Sequence, residues 1–522
     1  METEQEICPV ESSSRSFLRP RLSLAPAQVA LAFVVILIVM SFIEFGGQAI
    51  LDNDGFYHIR WAAMLKQSFP RLPPFKALPL TTLNERDYVD HHYLFHALLT
   101  PFTVGDLRTG AKLAAAIFSS LGLTSLFALM VSSRVRYRWL WLAPMVASSE
   151  PFLYRMAMTR APALSLAMLG AGAYLILKRK HALLALLSFA FVWLYSLFPL
   201  ILAFALAHTA AVYLAERRIE VKAFIYSLAG VAAGMVINPY FPKNVTLFWN
   251  HFWMKTTSNY PVSVGVEWYP YDTWVMVGGS ALAFAIFFIA LIGFDWHRRA
   301  EDVKPLFFLI VATLFLVMAL KSRRFIEYWP PFAVVFAAFT FNGRLEKLSR
   351  LSFSHSLDRT LAAVAAALVL LISIAAIEMT ILRAREDVRS EQDPFSYQGA
   401  GEWLRAHTPA GAMVFNTDWD DFPMLFYYSP DNAYAAGLDP TYLYASDADL
   451  WRHYERITLG REKNPAPIIR ERFGAEYVFT DNEHTAFLAV AERSGDFETV
   501  YRDQDTTVLR IRDRKEGGPS GR

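Results

Sequence analysis

The stretch from Pro26 to Arg60 decides how this chain is built. An unbroken apolar run from Pro26 to Phe45 is followed closely by Leu51-Asp52-Asn53-Asp54-Gly55-Phe56-Tyr57-His58-Ile59-Arg60. A helix needs about 20 apolar residues to cross a hydrocarbon core. The run is too long for the core of a signal peptide and shows no small-x-small cleavage pattern before Asp52, so it is expected to stay as a membrane span. Two carboxylates then stand at the membrane surface, where charge is costly unless solvated or used. One reading makes Asp52 or Asp54 the cap of a helix running through Arg60 to Gln67. The other lets Asp54 take a proton from a hydroxyl or bind a divalent cation, with His58 four residues on and on the same helical face.

The rest of the chain has the same character. Of its 522 residues 54% are hydrophobic and 19% charged, against about 25% charged in soluble domains. The mean hydropathy is +0.27. With 41 Phe, 23 Tyr and 13 Trp, a disordered chain is excluded and an ordinary soluble enzyme is not expected. A net charge of +2 gives no electrostatic case for nucleic acid. The single cysteine, Cys8, allows neither an intrachain disulfide nor a cysteine metal site. Apolar runs of spanning length predict about eleven transmembrane helices. They fall at residues 26–45, 111–131, 139–150, 161–177, 182–197, 199–215, 223–238, 273–294, 305–320, 325–341 and 360–382.

Lys and Arg in short loops set the orientation. Arg15, Arg19 and Arg21, then Arg134, Arg136 and Arg138, then Lys178, Arg179 and Lys180 recur on one side. Arg217, Arg218 and Lys222, then Arg298, Arg299 and Lys304, then Arg344, Lys347, Arg350 and Arg359 continue the series. With an odd number of spans this side is cytoplasmic. The expected layout is a cytoplasmic tail 1–25, a membrane domain 26–382 with external loops 46–110 and 239–272, and an extracytoplasmic α/β domain 383–522. Lys321, Arg323 and Arg324 break the rule at an external boundary, which fits either snorkelling toward lipid phosphates or an anionic ligand.

In the external tail, Gly401–His407, Ile469–Phe473 and Glu483–Ser494 read as helices, and Ala412–Phe415, Tyr477–Thr480 and Thr507–Ile511 as strands. Residues 514–522 read as disordered. Tyr427, Tyr428, Tyr434, Tyr442 and Tyr444 fit either sugar stacking or ordinary packing. In the first loop, Asp87-Tyr88-Val89-Asp90-His91-His92-Tyr93-Leu94-Phe95-His96 is dense in potential ligands. His92 and His96 are spaced to share a helical face, suiting either a metal or a water-boundary helix. The second external loop supplies Arg155 and Arg160, whose donor forks suit phosphate, with interfacial anchoring as the plain alternative. The third holds Ser263-Val264-Gly265-Val266-Glu267-Trp268, with Glu267 in an aromatic setting or simply exposed.

Together these motifs resemble the oligosaccharyltransferase catalytic subunit and the wider GT-C membrane glycosyltransferases. Asn53-Asp54-Gly55-Phe56-Tyr57 is similar to their first acidic motif, which implies that Asp54 is catalytic. Ser263 to Glu267 resembles the Ser/Thr-x-x-Glu motif of the fifth external loop. Lys321-Ser322-Arg323-Arg324-Phe325 resembles the arginine motif that faces the donor phosphate. Trp403-Leu404-Arg405, and on to Asp418-Trp419-Asp420-Asp421-Phe422, resembles the entrance to the external domain, where the family binds its acceptor sequon. Two departures stand out. The second acidic pair has no counterpart, since that stretch reads Met158-Thr159-Arg160-Ala161-Pro162, and the sequon motif lacks its first Trp and its Tyr-Gly. Both count against peptide Asn glycosylation and against the metal site that accompanies it.

The resemblance implies a GT-C-type transferase moving a sugar from a polyprenyl-phosphate or pyrophosphate donor to an external glycan, lipid or protein. It sits in the inner (plasma) membrane among lipids, with no nucleic-acid partner. Asp54 and Asp52 are expected at the chemistry, Arg324, Arg323, Arg155 and Arg160 at the donor phosphate, and Trp419, Asp420, His91 and His92 at the acceptor. If a divalent cation (Mg2+ or Mn2+) takes part, Asp54, Glu267 and His58 are its expected ligands. A protein oligosaccharyltransferase, a transporter or flippase, and a non-catalytic scaffold are the competing readings. A transporter should show midplane polar residues and an internal repeat, which the sequence does not display clearly.

Overall fold

The computed structural model describes residues 24–256, 262–342 and 356–513. Cys8, Arg15, Arg19 and Arg21, together with Arg344, Lys347, Arg350 and the tail 514–522, lie outside the described residues. The membrane part opens with α1 (Leu24–Glu44), α2 (Asp54–Ser68), α3 (Tyr93–Leu99), α4 (Leu107–Ser132), α5 (Leu142–Ala147), α6 (Glu150–Met156) and α7 (Pro162–Leu177). It continues with α8 (His181–Leu194), α9 (Pro199–Glu216), α10 (Lys222–Val236), α11 (Lys243–Thr256), α12 (Thr273–Gly279), α13 (Ala281–Ile292), α14 (Val303–Lys321) and α15 (Trp329–Phe341). A long helix, Ser356–Ser390, leads to the C-terminal domain and runs without a break past the expected boundary at 382.

Among the described residues, five helices are long and apolar enough to cross a membrane: Ala25–Glu44, Leu107–Ser132, Pro199–Glu216, Val303–Lys321 and Ala367–Ser390. The pair α12 and α13, bent by 76°, makes a sixth if counted as one span. Apolar helices α7, α8, α10 and α15 occupy four more of the expected positions but are shorter, at 10–17 residues. The stretch expected to span at 139–150 is instead a 3-10 turn, Arg138–Trp141, and the six-residue α5. Pro144 is tolerated only in a first turn, and Ser149 stops the run by capping α6 through the Phe152 amide at 3.2 Å. The span expected from residue 325 starts at Trp329, because Pro330 and Pro331 can only open a helix.

The C-terminal domain holds a five-stranded sheet. Its strands are β1 (Met413–Asn416), β2 (Ala433–Tyr434), β3 (Tyr477–Asp481), β4 (Phe497–Arg502) and β5 (Thr506–Ile511), in the order β2-β1-β3-β5-β4. β1 lies parallel to β2 and β3, while β5 runs antiparallel to β3 and β4. The three expected strands and three expected helices are present, with helix Thr485–Ser494 starting two residues late. The domain does not hang free. Tyr434 N–H donates to the Ala77 carbonyl at 2.8 Å and Thr82 N–H to the Tyr442 carbonyl at 3.1 Å. Arg60 Nε donates to the Tyr427 carbonyl at 2.8 Å. Phe56 meets Tyr427 edge-on at 5.3 Å, and Phe422 and Phe426 stack beside Tyr57 and Phe75 in one continuous core. Tyr427, Tyr434 and Tyr442 are buried in that packing.

Candidate active site

Asp54 opens α2 and sits where the first loop meets the membrane part. The backbone just before it is tight: Asp52 adopts a left-handed conformation at φ 71°. At Gly55 an added Cβ would lie 2.5 Å from Ile50 Cγ2 and 3.4 Å from Thr159 Cβ. The tight contact there is with the Ile50 side chain, while Thr159 sits at ordinary van der Waals distance, which places the Thr159-Arg160 loop against the start of α2. Thr159 Oγ1 is held in turn by the Ala111 carbonyl of α4 at 3.1 Å.

The result is a cluster of alternating charges. Arg160 Nη2 lies 2.8 Å from Asp54 Oδ2, and its Nη1 lies 3.3 Å from Asp52 Oδ2 and 3.0 Å from Glu267 Oε2. Glu267 also meets Arg155 Nη2 at 3.2 Å and Arg324 Nη1 at 3.4 Å. Arg155 reaches back to Glu327 Oε1, its Nε at 2.6 Å. Ser322 Oγ donates to the Glu267 carbonyl at 2.8 Å, tying the Glu267 loop to the turn between α14 and α15. The side chains of Asp52 and Asp54 are 25% and 24% exposed, so a ligand can reach them, whereas Glu327 is fully buried.

Burial governs the protonation of the first-loop pair. It pushes the Asp54 carboxyl up to about 6 against the opposing Arg160 guanidinium, while Glu267 and Asp420 add to the rise. Burial likewise pushes Asp52 up to about 7, again with Arg160 opposing. Glu267 behaves in the opposite way. Burial works against its ionisation, but the guanidiniums of Arg160, Arg324 and Arg155 hold its carboxyl well below the usual range.

The expected phosphate arginines divide in two. Arg155 and Arg160 are consumed in the cluster. Arg324 is buried but also faces aromatic rings, 4.6 Å from the Trp268 centroid and 5.8 Å from that of Tyr195. Arg323 is turned toward the loop, over the Tyr271 ring at 5.0 Å. Beside this rim lies a cavity of about 550 Å3, mostly apolar, lined by Val192, Leu200, Leu314 and Met318 and bordered by Trp268 and Lys321. Lys321, the last residue of α14, lines it, as does Ser196, which follows Tyr195 in the extended stretch between α8 and α9.

Of the expected acceptor residues, Trp419 and Asp420 reach the cluster. The Asn53 side chain donates to the Asp420 carbonyl at 3.4 Å, and the Trp419 ring lies 3.8 Å from where a Cβ on Gly265 would be. Burial pushes the Asp420 carboxyl up to about 7, with Asp52 and Asp418 adding to the rise. His91 and His92 are elsewhere. His91 lines the apolar cavity, and His92 stacks on Tyr195 at 5.3 Å, on the Arg324 side.

The expected cation ligands do not converge. His58 turns from Asp54 into a second network, where its Nδ1 lies 2.7 Å from His96 Nε2. His96 Nδ1 lies 2.8 Å from Asp90 Oδ2, which also accepts from Trp61 Nε1 at 3.0 Å. That uses both ring nitrogens of His96, so the expected His92 and His96 metal face is not formed either. Asp54 and Glu267 meet on the Arg160 guanidinium, which occupies the space between them. Among the described residues no group of three or more His, Cys, Asp or Glu side chains is placed to hold a metal. The residues therefore do not fit a divalent cation.

Sequence reasoning passed over Glu327 and Tyr195, and it read His58 and His96 as metal ligands where the structure joins them in a chain to Asp90. Glu327 carried a signal, since an acid three residues after Arg324 at a membrane boundary calls for a partner.

This helical layout shares its fold with several solved structures. The chain is similar to the oligosaccharyltransferase of Archaeoglobus fulgidus in its apo form, with 12% identity and a TM-score of 0.62 over 93% of this chain and 75% of that one. It is also similar to ArnT of Cupriavidus metallidurans bound to undecaprenyl phosphate, with 15% identity and a TM-score of 0.57 over 93% and 98% of the two chains. Arabinofuranosyltransferase AftD from Mycobacteria matches at 15% identity and a TM-score of 0.56, over 94% of this chain and 40% of its own. No protein-family model and no curated protein matches the sequence.

Proposed function

We propose that this protein is an integral-membrane glycosyltransferase that moves a sugar from a polyprenyl-phosphate or polyprenyl-pyrophosphate donor to an acceptor on the extracytoplasmic side. The observation that carries the reading is a juxtaposition. An apolar cavity between helices is lined by Lys321 and Trp268, and Arg324, 4.6 Å from the Trp268 ring, pairs into a charge cluster that also holds the reachable carboxylate of Asp54. That arrangement suits an amphiphile with a lipid, a phosphate and a reacting carbon in series.

In this reading the isoprene units lie among Val192, Leu200, Leu314 and Met318, and the phosphate meets Lys321, Arg324 and Arg323. Asp54 orients the acceptor hydroxyl and takes its proton as the new bond from acceptor oxygen to sugar carbon forms. The bond from that carbon to the phosphate oxygen breaks, and the phosphate leaves with the electron pair, stabilised by the fixed guanidiniums. Trp419 and Asp420 border the acceptor's approach. The C-terminal domain and the carboxylate cluster lie outside the inner (plasma) membrane, and the N-terminus is cytoplasmic.

The test is to incubate the purified protein with a panel of polyprenyl-linked sugars and follow each carrier by mass spectrometry, for wild type and Asp54→Asn. Loss of sugar from one carrier with wild type only is the expected result. Carriers that all survive with both proteins while still binding would overturn it in favour of a transporter or scaffold. An Asn-x-Thr peptide in the same assay decides whether the acceptor is protein.

A further inference from the structure

Asp52, Asp54 and Glu267 would be a plausible oxygen set for a divalent ion if they converged on open space. They converge on a side chain instead. The two terminal nitrogens of Arg160 divide these carboxylates between them, Nη2 to Asp54 at 2.8 Å and Nη1 to Glu267 at 3.0 Å and Asp52 at 3.3 Å. We infer that Arg160 is a built-in cation: its guanidinium is the positive charge on which Asp52, Asp54 and Glu267 converge, so chemistry at this cluster runs without a metal.

Three features of the chain support this. Mg2+ needs oxygen ligands at about 2.0–2.1 Å in near-octahedral order, and the guanidinium already stands among these three carboxylates. The loop that bears it cannot easily withdraw. Thr159 is pinned to Ala111 and lies against Gly55, Arg160 N–H is bonded to the Met158 carbonyl at 2.8 Å, and α7 begins immediately afterwards at Pro162. Finally, Glu267 is served by three guanidiniums, those of Arg160, Arg155 and Arg324. Three of the cluster's four carboxylate charges are therefore matched by fixed cations that no chelator removes. An arginine also differs from an ion in geometry. Its planar fork directs each carboxylate, and by engaging Asp54 Oδ2 it leaves Oδ1 as the atom that accepts a proton.

The inference rests on the transferase reading only for its activity arm, so the experiment has two arms. In the first, Mn2+ uptake by the full-length protein is followed by electron paramagnetic resonance. Wild type is expected to bind no more Mn2+ than Asp54→Asn. Arg160→Ala is expected to gain one Mn2+ per chain, lost again in Arg160→Ala/Asp54→Asn. The comparison of wild type with Asp54→Asn is decisive by itself, so the test survives if Arg160→Ala does not fold. In the second arm, sugar transfer by wild type is expected to be unchanged by EDTA. Stoichiometric Mn2+ binding by wild type that Asp54→Asn removes, or EDTA-abolished transfer that Mn2+ restores, would overturn the inference. Chelator-sensitive transfer would leave the glycosyltransferase reading standing. Absence of transfer with any donor would sink that reading while the Mn2+ arm still decided this one.

Discussion

Asp54 and His58 are one turn apart on the same helix, yet they belong to two polar clusters of opposite construction. Around Asp54, four carboxylates and three guanidiniums alternate, and the members that face the loops remain partly exposed. Around His58, a single buried carboxylate, Asp90, holds a chain of two imidazoles. Burial lowers the pKa of His58 well below its ordinary value, so this chain has little charge to offer a ligand. Asp90, although buried, is kept ionised by His96 and the Trp61 donor. Charge that is paired but reachable suits chemistry. A buried, hydrogen-bonded chain of this kind suits holding α2 in place, and with it Asp54.

The largest expected effect falls on the first cluster. Asp54→Asn should lower kcat by about 10²–10⁴-fold, the usual contribution of a positioned base, with donor binding retained in a lipid-binding assay. Arg155→Ala should be the most costly change to stability. It strands Glu327 in the core, and breaking a buried pair costs about 3–5 kcal/mol. Unfolding by denaturant measures this, and Glu327→Gln in the same background should recover part of the loss. Equal effects from Arg155→Ala and an exposed-pair variant such as Arg452→Ala would show that the cluster is not as buried as it looks.

The second cluster should respond differently. His96→Ala removes both hydrogen bonds of the chain, and leaving buried partners unsatisfied costs about 1–3 kcal/mol. Its effect on transfer should be a fall in kcat with KM for donor little changed, since Lys321, Arg323 and Arg324 are untouched. A change in KM alone would place His96 at the ligand rather than behind α2. The pH profile separates the clusters further. In the proposed reaction Asp54 acts as the ionised base, and its pKa is pushed up to about 6, so kcat/KM should fall as pH drops below about 6. Asp420 contributes to that rise, so Asp420→Asn should move the acid limb to lower pH, and His96→Ala should leave it in place. The smallest expected effect is Lys321→Gln at the exposed rim. An exposed charge there is worth about 0.2–1 kcal/mol, read as a donor KM raised a few-fold at low salt and less at high salt.

Part of the site could be read from residues in order. The charge anomaly of Lys321, Arg323 and Arg324 at a membrane boundary pointed to the turn between α14 and α15, and Asp54 stood out as a carboxylate just after a span. The role of Arg160 could not be read this way. As a loop arginine it suggested phosphate, but the approach of Thr159 to Gly55 commits it to Asp54, Asp52 and Glu267. His58 failed as a metal ligand for a related reason. Spacing put it on the face of Asp54, but Asp54 is the first residue of α2 and reaches over its end, while His58 is covered by the Phe95 ring at 5.2 Å and bonded to His96.

Hydropathy and strand alternation are properties of neighbouring residues, so the sequence by itself determined a chain of apolar helices followed by an α/β C-terminal domain. Helix length was only partly of this kind. Proline and a serine cap cut the expected span at 139–150 into short pieces, although its composition is apolar. Which charges neutralise one another was decided only in the tertiary structure. Glu267 lies far along the chain from Asp54 and Arg160, and ion pairing falls off so steeply with distance that it exists only after the loops are brought together. The docking of the C-terminal domain on Phe56, Arg60 and Ala77 is of the same kind, because those contacts depend on two surfaces that no local pattern records.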